Sequence, residues 1–441
     1  MDIARPVCPT GVVWLTVSAV KSFRGVMTVI ATAAVTAATV VAIGAPAAQA
    51  APGDAFYTPP GQLPSGNGAI VKTRPTPIFL QIPGDPRPFP GAAKTVMYTS
   101  RLQDGSPTAV TGTYIEPFAP WRGRGPRPTV VMAPGTIGQG DDCAPSKLVA
   151  FPASLDTKNL ALGSNYESLF ANLLLYQGYR VLMTDYIGMG TPGVHTYVNR
   201  IEEGHAVLDG ARAALNLGKL PAGSPIGFWG YSQGGGATAS AAEMASTYAP
   251  ELNIKGTYAG APPADLEVVL KAVDGSSIAG VIGYTVNGLV ARYPELGPLI
   301  QREASPAGKA ALKQLATSCI GDTVFRYGFQ RTNGWTTSGQ SLYQISQKYP
   351  QIQKALAEQL IGKMKPNAPV LVDTGINDDI IPNSQVMAMV RSWRSQGANV
   401  RVVTDGTPPI FPKLAANHVF PYLFGTLPAS QFLYDRFNSA N

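Results

Sequence analysis

The chain has 441 residues, 45% of them hydrophobic and 14% charged, with a net charge of +7. That balance excludes an intrinsically disordered chain, and a mild, unclustered positive excess without interleaved aromatics excludes a nucleic-acid footprint. The length allows one large α/β domain with an insertion, or two domains.

The first fifty residues differ in kind from the rest. Lys21 and Arg24 precede an uncharged apolar stretch from Gly25 to Ala45, and Ala48-Gln49-Ala50 follows. This is the order of a secretory signal peptide over residues 1–50, cut after Ala50. An uncleaved anchor is the other reading, because the stretch approaches spanning length. The segment before Lys21 is long for such a signal, which places the expected start downstream of Met1. No later stretch is long and apolar enough to cross a bilayer, so an exported chain without a transmembrane segment is expected. Of three cysteines, Cys8 leaves with the leader. Cys143 and Cys319 remain, and an even pair in an exported protein favours a disulfide over two buried thiols.

Residues 51 to about 90 are rich in Pro and Gly and read as an extended arm. Thr95–Ser100 and Ala109–Ile115 read as strands of an edge hairpin. Pro128–Ala133, Arg180–Thr184, Ile226–Gly230, Val370–Val372 and Val400–Val403 are short continuous apolar runs. Such runs fit strands buried on both faces of a parallel sheet. Helical patterns cover Glu167–Gln177, Glu202–Asn216, Gly235–Tyr248 and Ser384–Gln396. The alternation defines an open α/β sheet. Residues 263–365 break the rhythm with helical patterns at Ala264–Val273, Ile278–Arg292, Ala307–Ser318 and Ser341–Lys363. They read as a helical cap inserted between core parts 51–262 and 366–441, or else as further core helices.

Gly230-Tyr231-Ser232-Gln233-Gly234 is the sharpest signal. It starts at the end of an apolar strand pattern and runs into small residues. That is the strand–turn–helix context of a nucleophile elbow, in which a strained serine needs glycine two positions either side. A serine needs a base, and the chain has three histidines. In this fold the order is serine, acid, histidine. His195 and His205 precede Ser232, and His205 reads as a surface or packing residue. Only His418 follows Ser232. The acid belongs in the loop after a core strand, where Asp378 is the first choice and Asp379 the second. Asp373 is still in the strand. An acid pair can also bind calcium, but the loop lacks the other oxygen ligands. No metal or cofactor is expected. The Gln233 amide is one oxyanion donor. The second is expected from Pro134–Gly140, with Thr136 and Gly138 as candidates.

At these residues the chain resembles the secretory lipase family. The match rests on Gly-Tyr-Ser-Gln-Gly at 230–234, Cys-Ala-Pro-Ser at 143–146 and Asp-Tyr-Ile-Gly-Met-Gly at 185–190. Asp-Asp-Ile-Ile-Pro at 378–382 and Asn-His-Val at 417–419 complete it. The resemblance implies an α/β-hydrolase core with a helical cap before the acid strand, and Ser232, Asp378 and His418 as triad. It implies a Cys143–Cys319 disulfide tying the oxyanion loop to the cap. It also implies triacylglycerols and simpler esters as substrates, with the acyl chain between cap and core; a lipid ester substrate is the expected partner, and whether it is met at a lipid–water interface is left open. The expected function is a secreted serine lipase or carboxylesterase. An acyltransferase on envelope lipids and a cutinase-like polyesterase are the nearest alternatives, and a non-catalytic binding protein on the same fold is a third.

Overall fold

The computed structural model describes residues 54–76, 90–148, 153–156 and 161–439. The expected leader and its expected cut after Ala50 lie outside them.

Strands β1 (Ile70–Thr76), β2 (Gly91–Arg101), β3 (Pro107–Pro117) and β4 (Thr129–Ala133) come first. A separate antiparallel ribbon, β5 (Ala153–Asp156) and β6 (Ala161–Ser164), follows. Then come β7 (Arg180–Ile187), β8 (Ile226–Tyr231), β9 (Ile254–Gly260), β10 (Val370–Gly375) and β11 (Val400–Asp405). Among the described residues nine strands form one sheet, in the order β1-β2-β3-β7-β4-β8-β9-β10-β11. Pairing is antiparallel from β1 to β7 and parallel from β7 to β11. Every residue of β4 and β8 is buried, as their unbroken apolar character requires.

The β2–β3 hairpin is not at the sheet edge. β1 covers β2, and β3 pairs with β7. Part of the expected arm therefore supplies the edge strand, a position in a sheet where a proline such as Pro75 is tolerated.

Helices α1 (Glu167–Tyr176), α2 (Arg200–Gly218) and α3 (Gln233–Tyr248) connect the central strands. Successive strand side chains point to opposite faces. Val131 and Phe228 join the buried side chains of α2 and α3, while Val130, Met132 and Trp229 join those of α1 and the last helix.

Between β9 and β10 lie seven α-helices: α4 (Leu266–Val273), α5 (Val281–Arg292), α6 (Leu296–Glu303), α7 (Pro306–Leu315), α8 (Ile320–Tyr327), α9 (Leu342–Lys348) and α10 (Pro350–Glu358). The single helix expected over Ser341–Lys363 is two, because Pro350 has no N–H to continue α9 and starts α10 instead. The remaining helices are α11 (Asn383–Ser395) and α12 (Ala416–Asn438).

The inserted helices are fastened to the core. Cys143 and Cys319 form a disulfide across 176 residues. Beside it, Gln139 N–H donates to Ser318 O (3.0 Å) and Ile320 N–H to Ile137 O (2.7 Å). Arg292 of α5 pairs with buried Glu202 of α2. No helix among the described residues is long and apolar enough to cross a membrane.

Candidate active site

Ser232 is the single residue between β8 and α3, with φ 58° and ψ −121°. A non-glycine residue there is strained, and the surrounding backbone holds it. A Cβ on Gly230 would lie 2.1 Å from Gly234 O, and one on Gly234 would lie 2.0 Å from Ala133 O. One on Gly235 would lie 1.9 Å from Gly260 O. The glycines are thus dictated by how closely α3 crosses β4 and β9. Ser232 N–H donates to Gly260 O at 2.9 Å. The hydroxyl stands at the N-terminus of α3, where unpaired amides favour negative charge.

His418 lies in the first turn of α12. Asn417 ties down the preceding loop by accepting from Ile410 N–H (2.6 Å) and donating to Pro408 O (2.9 Å). Tyr231 O–H donates to the His418 carbonyl at 2.7 Å. His418 Nε2 is 2.8 Å from Ser232 Oγ, and its Nδ1 is 2.8 Å from Asp378 Oδ2. The other Asp378 oxygen accepts the N–H groups of Ile380 (2.9 Å) and Ile381 (2.8 Å). Asp379 turns the other way and accepts from Ala415 N–H at 3.0 Å. Asp373 stays inside β10, where burial pushes its carboxyl up to about 7.

The loop after β4 is held from α1. Glu167 accepts Gly135 N–H at 2.8 Å and Tyr422 O–H at 2.7 Å. Burial pushes the Glu167 carboxyl up to about 7, against those two hydrogen bonds. Tyr422 stacks on Tyr231 with ring centres 4.3 Å apart, so the loop and the histidine share one support. Tyr166 O–H donates to Thr136 O at 3.3 Å, and the Thr136 hydroxyl meets Tyr197 O–H at 2.7 Å. Gly138 pairs instead with Cys319, its absent Cβ site 2.6 Å from Cys143 Sγ.

Two histidines sit apart from Ser232. His205 stacks on Tyr248 at 4.0 Å and bonds Arg101 O, a packing role. His195 is buried and meets the Gln233 side chain at 2.9 Å. Sequence reasoning missed Glu167, Glu203 and Tyr422. The two glutamates look like ordinary first-turn helix acids, and Tyr422 lies in a helix that two prolines conceal.

Ser232 opens onto an apolar cavity enclosing about 950 Å³ of empty space, mouth included. Val281, Ile282, Leu289, Ile345 and Leu356 of the inserted helices and Ile381 of the Asp378 loop line it.

The fold and this chemistry define an ester hydrolase of the α/β-hydrolase class. The chain belongs to the secretory lipase family, whose model matches residues 151–441. It is 30% identical over 400 residues to a probable inactive lipase of Mycobacterium tuberculosis, covering 87% of this chain and 82% of that one. It is 28% identical over 397 residues to a secreted triacylglycerol lipase of Malassezia globosa, covering 87% and 79%. Among solved structures, Candida antarctica lipase A in its closed state superposes with a TM-score of 0.74 at 24% identity, over 88% and 87% of the two chains. The rice cell wall degrading esterase LipA of Xanthomonas oryzae superposes with a TM-score of 0.66 at 19% identity, over 84% and 98%.

Proposed function

We propose that this chain is a secreted, catalytically active serine lipase or carboxylesterase with Ser232, His418 and Asp378 as its triad. The observation that carries the reading is His418 bridging Ser232 Oγ and Asp378 Oδ2 at 2.8 Å on each side. Ser232 Oγ attacks the ester carbonyl while His418 Nε2 takes its proton. Asp378 orients the ring through Nδ1–H and stabilises its charged form. The tetrahedral intermediate expels the alcohol, which takes the proton from His418. Water, deprotonated by His418, then releases the acid from the acyl-enzyme.

The Gln233 N–H is one oxyanion donor. Thr136 is favoured over Gly138 as the other. Its neighbour Gly135 abuts the elbow, 3.3 Å from Tyr231 O to an added Cβ. Among the described residues no hydrogen bond occupies the Thr136 N–H, whereas Gly138 is pressed against the disulfide. Residues 263–365 act as the cap, and the acyl chain occupies the apolar cavity between cap and core. Such a cavity suits a flexible hydrocarbon with one polar end at Ser232. Export is supported by the leader pattern, by the disulfide and by the secreted relatives.

The test is hydrolysis of p-nitrophenyl esters from acetate to palmitate and of emulsified triacylglycerol, with wild type beside Ser232→Ala. Activity rising beyond acetate in wild type and absent in the folded variant is expected. Activity that survives in Ser232→Ala, or its absence on every ester in wild type, overturns the reading.

A further inference from the structure

The nucleophile site accounts for Ser232, His418 and Asp378, and leaves a second buried polar cluster behind the elbow unexplained. Its centre is the Gln233 side chain, 1% exposed. Gln233 Nε2 donates to Glu203 Oε1 at 2.8 Å and to His195 Nε2 at 2.9 Å. His195 Nε2 accepts because its Nδ1 faces the Ile187 carbonyl at 3.1 Å and carries the proton there. Burial pushes His195 down to about 4, which keeps the ring neutral. The ring lies nearly parallel to Tyr186 at 5.6 Å.

Glu203, in the first turn of α2, has a second task. The same Oε1 accepts Val198 N–H at 2.9 Å. Val198 has φ 56°, a left-handed backbone that a β-branched residue seldom adopts. Val198 and Tyr197 also line the cavity on which Ser232 opens. One carboxyl oxygen therefore ties a strained piece of cavity wall to the residue after the nucleophile. Burying a glutamate and a histidine costs desolvation that an apolar set would avoid. Among the described residues, none of the hydrogen bonds of His195 or Glu203 runs to Ser232, His418 or Asp378.

We propose that Glu203 and His195 are positioning residues: they lock the Gln233 side chain, and through it the direction of the Gln233 N–H that stabilises the oxyanion. This rests on the reading of Ser232 as the nucleophile. An amide held in direction before the reaction stabilises developing charge without reorganising. A displacement of the order of 1 Å costs up to ~10²-fold in rate. Burial pushes the Glu203 carboxyl up to about 8. A neutral amide of the same shape accepts the same two N–H groups, so glutamine can replace it.

The experiment compares wild type, Glu203→Leu, Glu203→Gln, Gln233→Met and the Glu203→Leu/Gln233→Met pair on p-nitrophenyl butyrate, with folding followed by circular dichroism. Expected are a kcat loss of about 10- to 100-fold in Glu203→Leu and in Gln233→Met, with KM within about twofold. The pair is expected to be no worse than either single variant, as for groups acting through one contact. Glu203→Gln is expected to recover most of kcat. If Glu203→Leu does not fold, Gln233→Met and Glu203→Gln decide. Full kcat in Gln233→Met, equal losses in the Leu and Gln variants, or a loss carried by KM overturns the proposal. Wild type without Ser232-dependent activity would instead refute the function itself, and this inference with it.

Discussion

Asp378 and Asp379 are neighbours of one chemistry with opposite surroundings. Asp378 faces His418 Nδ1 and is fixed by two main-chain N–H groups. Asp379 faces Ala415 N–H and holds the loop that leads to His418. Asp373, six residues back from Asp379, is closed off by α12, since a Cβ on Gly425 would sit 1.8 Å from its Oδ2. Asp378→Asn keeps the shape but no longer favours the imidazole tautomer and charge that the reaction needs. Its kcat is expected to fall about 10⁴-fold. Asp379→Asn retains an oxygen that accepts from Ala415 N–H and is expected to lose less than about tenfold, because the hydrogen bond is kept and only its strength changes. Steady-state kinetics on a soluble ester check both, and equal losses would take the acid role away from Asp378.

At the scale of elements, legibility followed burial geometry. β4, β7 and β8 were readable because strands covered on both faces are continuously apolar, and the elbow because its glycines recur at fixed offsets. β9, with the sequence IKGTYAG, was not readable. Its glycines answer to distant partners: a Cβ on Gly260 would lie 2.2 Å from the Tyr231 ring, and one on Gly256 would lie 2.9 Å from Arg436. No local pattern carries that. α12 was hidden by Pro421 and Pro428, and its 23 residues hold only because the sheet packs against them. The proposed triad of Ser232, Asp378 and His418, which the structure brings within hydrogen-bond distance, was nameable from order and scarcity, whereas the contacts of Glu167 and Glu203 depend on which loops fold over them. The Cys143–Cys319 bond belongs to this scale too, since it fastens the β4 loop to the start of α8. Replacing both cysteines by serine is expected to cost about 2–5 kcal/mol, as for loss of a native disulfide closing a long loop. Chemical denaturation of the two forms measures it, and a loss below about 1 kcal/mol would mean that the flanking main-chain bonds suffice.

For the whole molecule, the buried acids set how stability responds to pH. Burial pushes Asp185 up to about 6, Glu167 and Asp373 to about 7, and Glu203 to about 8. These groups are neutral more readily when folded than when unfolded, where carboxyls ionise near 4. Their contribution is therefore complete below the unfolded value and is lost as pH rises through the folded values. His195 runs the other way. Burial pushes it down to about 4, so its contribution is complete above about 6.5 and is lost as pH falls through 4. Above about 6.5 the histidine no longer changes, while the contributions of Glu167, Asp373 and Glu203 are still being lost. The melting temperature is thus expected to fall by several degrees between pH 6.5 and 8.5. Differential scanning calorimetry across that window checks it, with Glu203→Gln as the control: an amide cannot ionise, so its curve should be shallower than that of wild type. A melting temperature that is flat or rising over the same window would mean that these carboxyls are already ionised in the folded protein.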